Sequence, residues 1–143
     1  MGFERVPVLL RGSWFGINRA FRTKLSGIGV TSSQYTILRC IYESPDREVE
    51  QRELAQLIFS NKNNLASSLT RLENVGLVFR KNEKNDARRR IVYLTNRGKK
   101  VFLNAKTIAD SLQSQIKENL GEDDFGKLIF YLSKCEQNFI SDP

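Results

Sequence analysis

The sequence predicts a mainly helical chain with one small β-hairpin, an α+β class. Three observations predict it. Long segments carry apolar residues every three or four positions, the period changes to strand-like runs just after Gly76, and two short helical segments lie only a few residues apart. With 143 residues, 40% hydrophobic and 27% charged, the chain is long enough for a real core and is neither disordered nor fibrous in composition.

Each element has a local cause. Leu10, Trp14, Ile17, Phe21 and Leu25 make one apolar stripe on a helix from Pro7 to Leu25, which Gly27 and Gly29 end. Thr31-Ser-Ser-Gln34 is a capping box that opens a second helix, with Ile37, Leu38, Ile41 and Tyr42 on its buried side. That helix must stop before Ser44-Pro45. A third helix spans Gln51 to Ile58. Ser60 or Asn61 caps a fourth that runs to Val75 and ends at Gly76, a helix-turn-helix spacing.

Leu77–Lys81 and Ile91–Leu94 are then read as two strands around a polar, basic tip, Asn82–Arg90. Thr95 caps a helix to Asn119, which Gly121 stops. A last helix from Asp123 to Ile140 carries Phe125, Leu128, Ile129, Leu132, Cys135 and Phe139, with Asp123 and Asp124 suiting its N-terminal dipole.

The order helix-helix-helix-hairpin is that of a winged helix-turn-helix, here residues 30–95. The helices outside it, in 1–29 and 96–143, have apolar stripes larger than a small winged core can cover. They are expected to form a dimerisation domain; wrapping a core of their own is the alternative.

Charge narrows the function. The chain carries +7, and the excess sits in one segment: Ser60–Lys100 holds eleven Lys/Arg against three acids, while the remainder holds twelve against thirteen. Such a stripe fits a polyanion, because each neutralised phosphate releases counterions. The basic residues alternate with strand-like positions instead of lining one helix face, which favours nucleic acid over a membrane surface, and a polar helix face suited to a major groove favours double-stranded DNA.

Catalysis is disfavoured. There is no histidine, hence neither the commonest general base nor the commonest metal ligand, and no G-x-S-x-G or phosphate-binding glycine loop. No metal or other cofactor is expected. Cys40 and Cys135 lie 95 residues apart and are read as small buried residues. Without a disulfide pattern, a reducing cytoplasm is the expected compartment. The N-terminal stretch lacks a signal-peptide cleavage site, and no apolar run approaches the roughly 20 residues of a membrane span.

On the fourth helix, Leu65, Leu69 and Leu72 face the core. The other side presents Asn63, Ser67, Thr70 and Asn74, flanked by Asn64, Arg71 and Ala66, with Lys62 near the start. Short amides and hydroxyls can reach base edges, asparagine bidentately to adenine, and lysine a phosphate. In the tip, Lys84, Asp86, Arg88 and Arg89 are candidates for minor-groove contact, with the Asp86 carboxylate holding Arg88. An exposed polar helix face and a solvated charged turn are the bland alternatives.

The stretch ELAQLIFSNKNNLASSLTRLENVGLVFRKNEKNDARRRIVYLTNRGKKV resembles the central region of the MarR family of bacterial transcriptional regulators. The matching pieces are Glu53-Leu-Ala55, R-L-E-N-x-G-L-V from Arg71 to Val78, D-x-R at Asp86 and Arg88, and L-T-x-x-G from Leu94 to Gly98. V-T-S-S-Q-Y-T-I-L from Val30 fits the family's second helix.

The resemblance implies a homodimeric repressor on a pseudo-palindromic operator, with helix four in the major groove and the wing in the flanking minor groove. It gives Arg71 either a DNA contact or the helix–wing junction. Ala87 stands where many members have arginine, which leaves the wing contact to Arg88 and Arg89, and Glu50 stands where a small residue usually caps helix three. The family's small aromatic or amphipathic ligands point to a cleft near Trp14, Asn18 and Tyr35, with plain core as the alternative for Trp14 and Tyr35. The missing histidines oppose a zinc sensor. A winged-helix module that binds RNA or an acidic protein is the competing reading.

Overall fold

The computed structural model describes residues 5–140; the first four residues of the 1–29 segment and the last three of 96–143 lie outside the described residues. The chain runs α1 (Val6–Leu25), α2 (Ser32–Glu43), a 3-10 turn (Pro45–Arg47), β1 (Glu48–Glu50), α3 (Gln51–Leu57), α4 (Lys62–Asn74), β2 (Val78–Glu83), β3 (Asp86–Leu94), α5 (Asn96–Leu120) and α6 (Glu122–Ile140). Among the described residues, six α-helices with a small antiparallel sheet make the α+β winged helix the sequence predicts. The chain divides into two compact units, one ending at Ile108 and one starting at Ala109, so the boundary falls inside α5.

In the first unit the capping box of α2 is complete. Gln34 N donates to Thr31 Oγ1 and Thr31 N donates to Gln34 Oε1, both at 3.0 Å. The helix buries Tyr35, Ile37, Leu38, Cys40 and Ile41 and ends as Ser44 N donates to the Ile41 carbonyl. Tyr42 is half-buried instead of fully buried. Its ring lies 4.6 Å from that of Phe102, tilted by 32°, and takes the Arg47 guanidinium over its face at 3.9 Å. Asp46 and Arg47 both adopt φ of 56°, the left-handed region, as the chain reverses from α2 into β1.

The sheet order is β1-β3-β2, which adds a strand to the expected two-stranded hairpin. Glu-Val-Glu has little β-propensity and is too short to show a period. It becomes a strand because Val49 pairs with Val92 and buries its side chain. The hairpin is also longer than its apolar runs. Strands reach Glu83 and resume at Asp86, leaving Lys84-Asn85 as the turn, with a bulge between Asn82 and Glu83. Cross-strand pairing extends polar residues that propensity alone would leave in a loop.

Behind the wing lies a close backbone contact. A Cβ on Gly98 would stand 2.0 Å from the Leu77 carbonyl oxygen, so only glycine fits there. Thr95 sets that approach: its Oγ1 accepts from Gly98 N at 2.9 Å and donates to the Gly76 carbonyl at 2.6 Å. Gly76 itself has φ of 77°, which lets α4 turn directly into β2. The L-T-x-x-G motif is thus the seat on which the wing's base rests.

On α1, Leu25 is buried but Leu10, Trp14 and Ile17 of the same stripe are exposed, Trp14 by 65%. In the second unit, Gly121 at φ of 85° ends α5, and Lys117 pairs with Glu122 across the turn at 3.3 Å. Glu122, Asp123 and Asp124 occupy the first turn of α6. Ile129, Leu132 and Phe139 on that helix are exposed, and so is Cys135. Cysteine burial holds for Cys40 and fails for Cys135, because within the single chain the apolar side of α6 stays open to solvent.

Candidate nucleic-acid interface

The α3–α4 turn is made by Phe59 at φ of 54°, with Ser60 N donating to the Ala55 carbonyl at 3.1 Å. Asn61, one of the two candidate caps, accepts from Asn64 N through Oδ1 at 2.8 Å. Leu65, Leu69 and Leu72 then bury one side of α4. This anchors the helix and turns Lys62, Asn63, Asn64, Ser67, Thr70 and Arg71 outward, all of them exposed.

These six are not equivalent. Thr70 Oγ1 donates to the Ala66 carbonyl at 3.0 Å and accepts from Arg80 Nη2 at 3.2 Å, so its hydroxyl is already engaged. Arg71 has no side-chain ion pair among the described residues. The helix–wing junction is instead made by Arg80, a residue that sequence reasoning passed over. Its side chain is 8% exposed and its Nε donates to Glu73 Oε1 at 2.8 Å, with Gln51 Oε1 of α3 at 3.5 Å from Nη1. In the sheet, Arg80 pairs with Val92, which pairs with Val49, placing it in the inward-facing row. The signal that could have found it is parity: Val78, Arg80 and Asn82 share one face of β2.

In the wing, Lys84 occupies the turn. Asp86 Oδ1 accepts from the backbone N of Arg88 at 2.9 Å, so the carboxylate fixes the strand start and not the Arg88 guanidinium, which was the reading from spacing. Arg89 is held by two carboxylates, Glu50 at 3.1 Å and Glu83 at 2.7 Å. The hydrogen bond to Glu50, reinforced by the charges of Glu50 and Glu83, raises its pKa further above the ordinary guanidinium range.

Between the wing and the start of α4 lies a concavity of about 680 Å³ whose lining includes Arg52, Lys62, Arg88, Arg89 and Arg90 against Glu50 and Asp86. With Arg89 already paired, Arg52, Lys62, Arg88 and Arg90 leave the depression net positive where α4 begins.

The three candidate ligand residues are in different settings. Trp14 is exposed, Asn18 is half-buried, and Tyr35 is buried in a ring series, 4.9 Å from Phe21 and 5.6 Å from Phe102. For Tyr35 the core setting is the one observed. Burial, the leading cause, also raises the Cys40 thiol pKa. Among the described residues no group of His, Cys, Asp and Glu is arranged to hold a metal, and no helix is long and apolar enough to cross a membrane.

Comparison with known proteins gives one answer. Residues 28–89 match the MarR family profile. The transcriptional regulator HosA of Escherichia coli O127:H6 is 38% identical over 95 residues, 66% of this chain and 69% of that protein. Among solved structures, the S. aureus MepR–DNA complex superposes with a TM-score of 0.87 at 21% identity, over 94% of this chain and 98% of that one. NadR in complex with 4-hydroxyphenylacetate gives a TM-score of 0.78 at 27% identity, over 92% of both chains. With this sequence identity and this fold, the chain belongs to the MarR family of transcriptional regulators.

Proposed function

We propose that this regulator is a repressor that binds a pseudo-palindromic operator as a homodimer, with α4 of each subunit in the major groove and the wing at the flanking minor groove. The observation that carries the reading is the pairing of two features. An exposed row of amides and hydroxyls on α4 adjoins a concavity lined by Arg52, Lys62, Arg88 and Arg90. The row offers base-edge donors and acceptors, and the cations offer phosphate contacts that hold the helix in register. MepR, similar in fold, was solved bound to DNA.

The exposed apolar side chains of α1 (Leu10, Trp14, Ile17) and of α6 (Ile129, Leu132, Phe139) support the homodimer, since a monomer would leave both stripes in water. Release by a small aromatic or amphipathic ligand is the proposed control. It draws on NadR, solved with 4-hydroxyphenylacetate, and on Trp14 and Asn18, whose side chains are not closed off as that of Tyr35 is.

Selection of bound fragments from a genomic library, followed by gel shift with nonspecific competitor, tests the reading. A discrete complex that survives competitor, with two chains per site, supports it. Loss of every complex to competitor, or preference for RNA over duplex DNA, contradicts it.

A further inference from the structure

Arg88, Arg89 and Arg90 look alike in the sequence, yet the sheet separates them. Asn82 pairs with Arg90 but Glu83 pairs with Asp86, so Ala87, Arg88 and Arg89 are the extra residues of the bulge; Arg90 shares the face of buried Val92, while Arg89 reaches Glu50, the cross-strand partner of Ile91. Glu50 pairs with Ile91 across β1–β3, which brings its carboxylate beside Arg89. Glu83 comes from the other neighbour, β2, just after the bulge. The two prongs of the Arg89 guanidinium are divided between them: Nη2 to Glu50 Oε2 at 3.1 Å and Nη1 to Glu83 Oε2 at 2.7 Å. One side chain on the central strand therefore ties both edge strands together. Among the described residues, neither Arg88 nor Arg90 has a side-chain ion pair.

We propose that Arg89 is a positioning residue that braces the three-stranded sheet through Glu50 and Glu83, and that the wing's contacts to phosphate and groove are made by Arg88 and Arg90. The bulge at Asn82/Glu83 and the three-residue β1 would otherwise leave the wing's base weakly constrained, since short strands and bulged ladders hold few hydrogen bonds. A guanidinium presents a rigid planar fork, which suits it to span two carboxylates. Its charge is already balanced by two carboxylates, so it neutralises no phosphate and releases no counterion from DNA. The chain's departure at Glu50, where a small cap would fit α3, is explained by the same contact: Glu50 makes no side-chain cap and serves the wing instead.

This inference rests on the DNA-binding reading above, and the test keeps the two apart. The affinity of wild type and of Arg88→Ala, Arg89→Ala and Arg90→Ala for a duplex recovered by selection is measured across salt concentrations. Arg88→Ala and Arg90→Ala are each expected to reduce the slope of log affinity against log salt by about 1.8, since a dimer loses two phosphate contacts at about 0.9 each. Arg89→Ala is expected to lower affinity with the slope unchanged.

Hydrogen exchange of the free protein supplies the second readout. Amides of β2 and β3 near the turn should exchange several-fold faster in Arg89→Ala and Glu50→Gln, and at the wild-type rate in Arg88→Ala and Arg90→Ala. Equal slope losses for all three arginines, or unchanged exchange in Arg89→Ala, overturn the brace while leaving DNA binding intact. Failure of the wild-type chain to prefer any duplex overturns the DNA-binding reading itself.

Discussion

Arg80 and Glu73 face each other across the Gly76 turn, Nε to Oε1 at 2.8 Å, and join α4 to β2, the first strand of the wing. The arginine lies almost wholly out of water while the carboxylate is 31% exposed. Thr70 and Gln51 accept from the same guanidinium at longer range, so one side chain touches α3, α4 and β2. The angle between α4 and the wing is thereby set by a polar junction, not by apolar packing alone.

Truncating that junction is costly. Arg80→Ala leaves Glu73 without its partner and should destabilise the fold by about 2–3 kcal/mol, below the ~3–5 kcal/mol of a fully buried pair because Glu73 stays partly hydrated. Denaturant unfolding of Arg80→Ala, Glu73→Ala and the double variant measures it. The double variant should lose clearly less than the two singles added together.

Gly98→Ala tests the seat of the wing. The new methyl would meet the Leu77 carbonyl oxygen, a backbone atom that cannot rotate away. A loss of about 3 kcal/mol or more is expected, at the upper end of overpacking costs. A melting temperature equal to wild type would refute the contact.

The two cysteines should differ in reactivity. Cys40 is buried and its thiol pKa is raised by that burial, so iodoacetamide should modify it slowly at neutral pH. Exposed Cys135 should be modified first, as mass spectrometry of the folded protein can show. The raised value also carries a sign for stability. The folded state keeps the Cys40 proton at pH values where the unfolded chain has lost it. Stability from this group is therefore full below the ordinary cysteine range of about 8.5 and is lost as pH rises through the folded value.

Asn63→Ala should relax preference for one base in each half-site, by about 1–3 kcal/mol if the amide bonds bidentately. Binding measured against a panel of single-base operator variants resolves this. An even loss across the panel would make Asn63 a phosphate contact instead.

Much of this architecture was legible because its causes are local. The Thr31–Gln34 capping box, the Leu65–Leu69–Leu72 stripe and the glycines at 76 and 121 each act within one or two turns of chain. β1 was hidden because Glu48-Val-Glu50 becomes a strand only through β3, more than 40 residues away. The junction was hidden for a similar reason. Arg71 and Arg80 look interchangeable in a basic segment, and only strand parity together with the Gly76 turn sends one outward and the other onto Glu73. At the wing, D-x-R spacing suggested a side-chain pair, whereas the Asp86 carboxylate bonds the Arg88 backbone and not its guanidinium.

The face built by α4 and the wing is where DNA is proposed to bind. The direct measurement is the affinity of Arg88→Ala for the selected duplex, set beside Lys127→Ala, an exposed lysine on α6 far along the chain from that face. Arg88→Ala should weaken binding about tenfold, the effect of roughly 1.4 kcal/mol, and Lys127→Ala should leave it unchanged. Equal small losses in both variants would contradict the assignment of the wing to DNA.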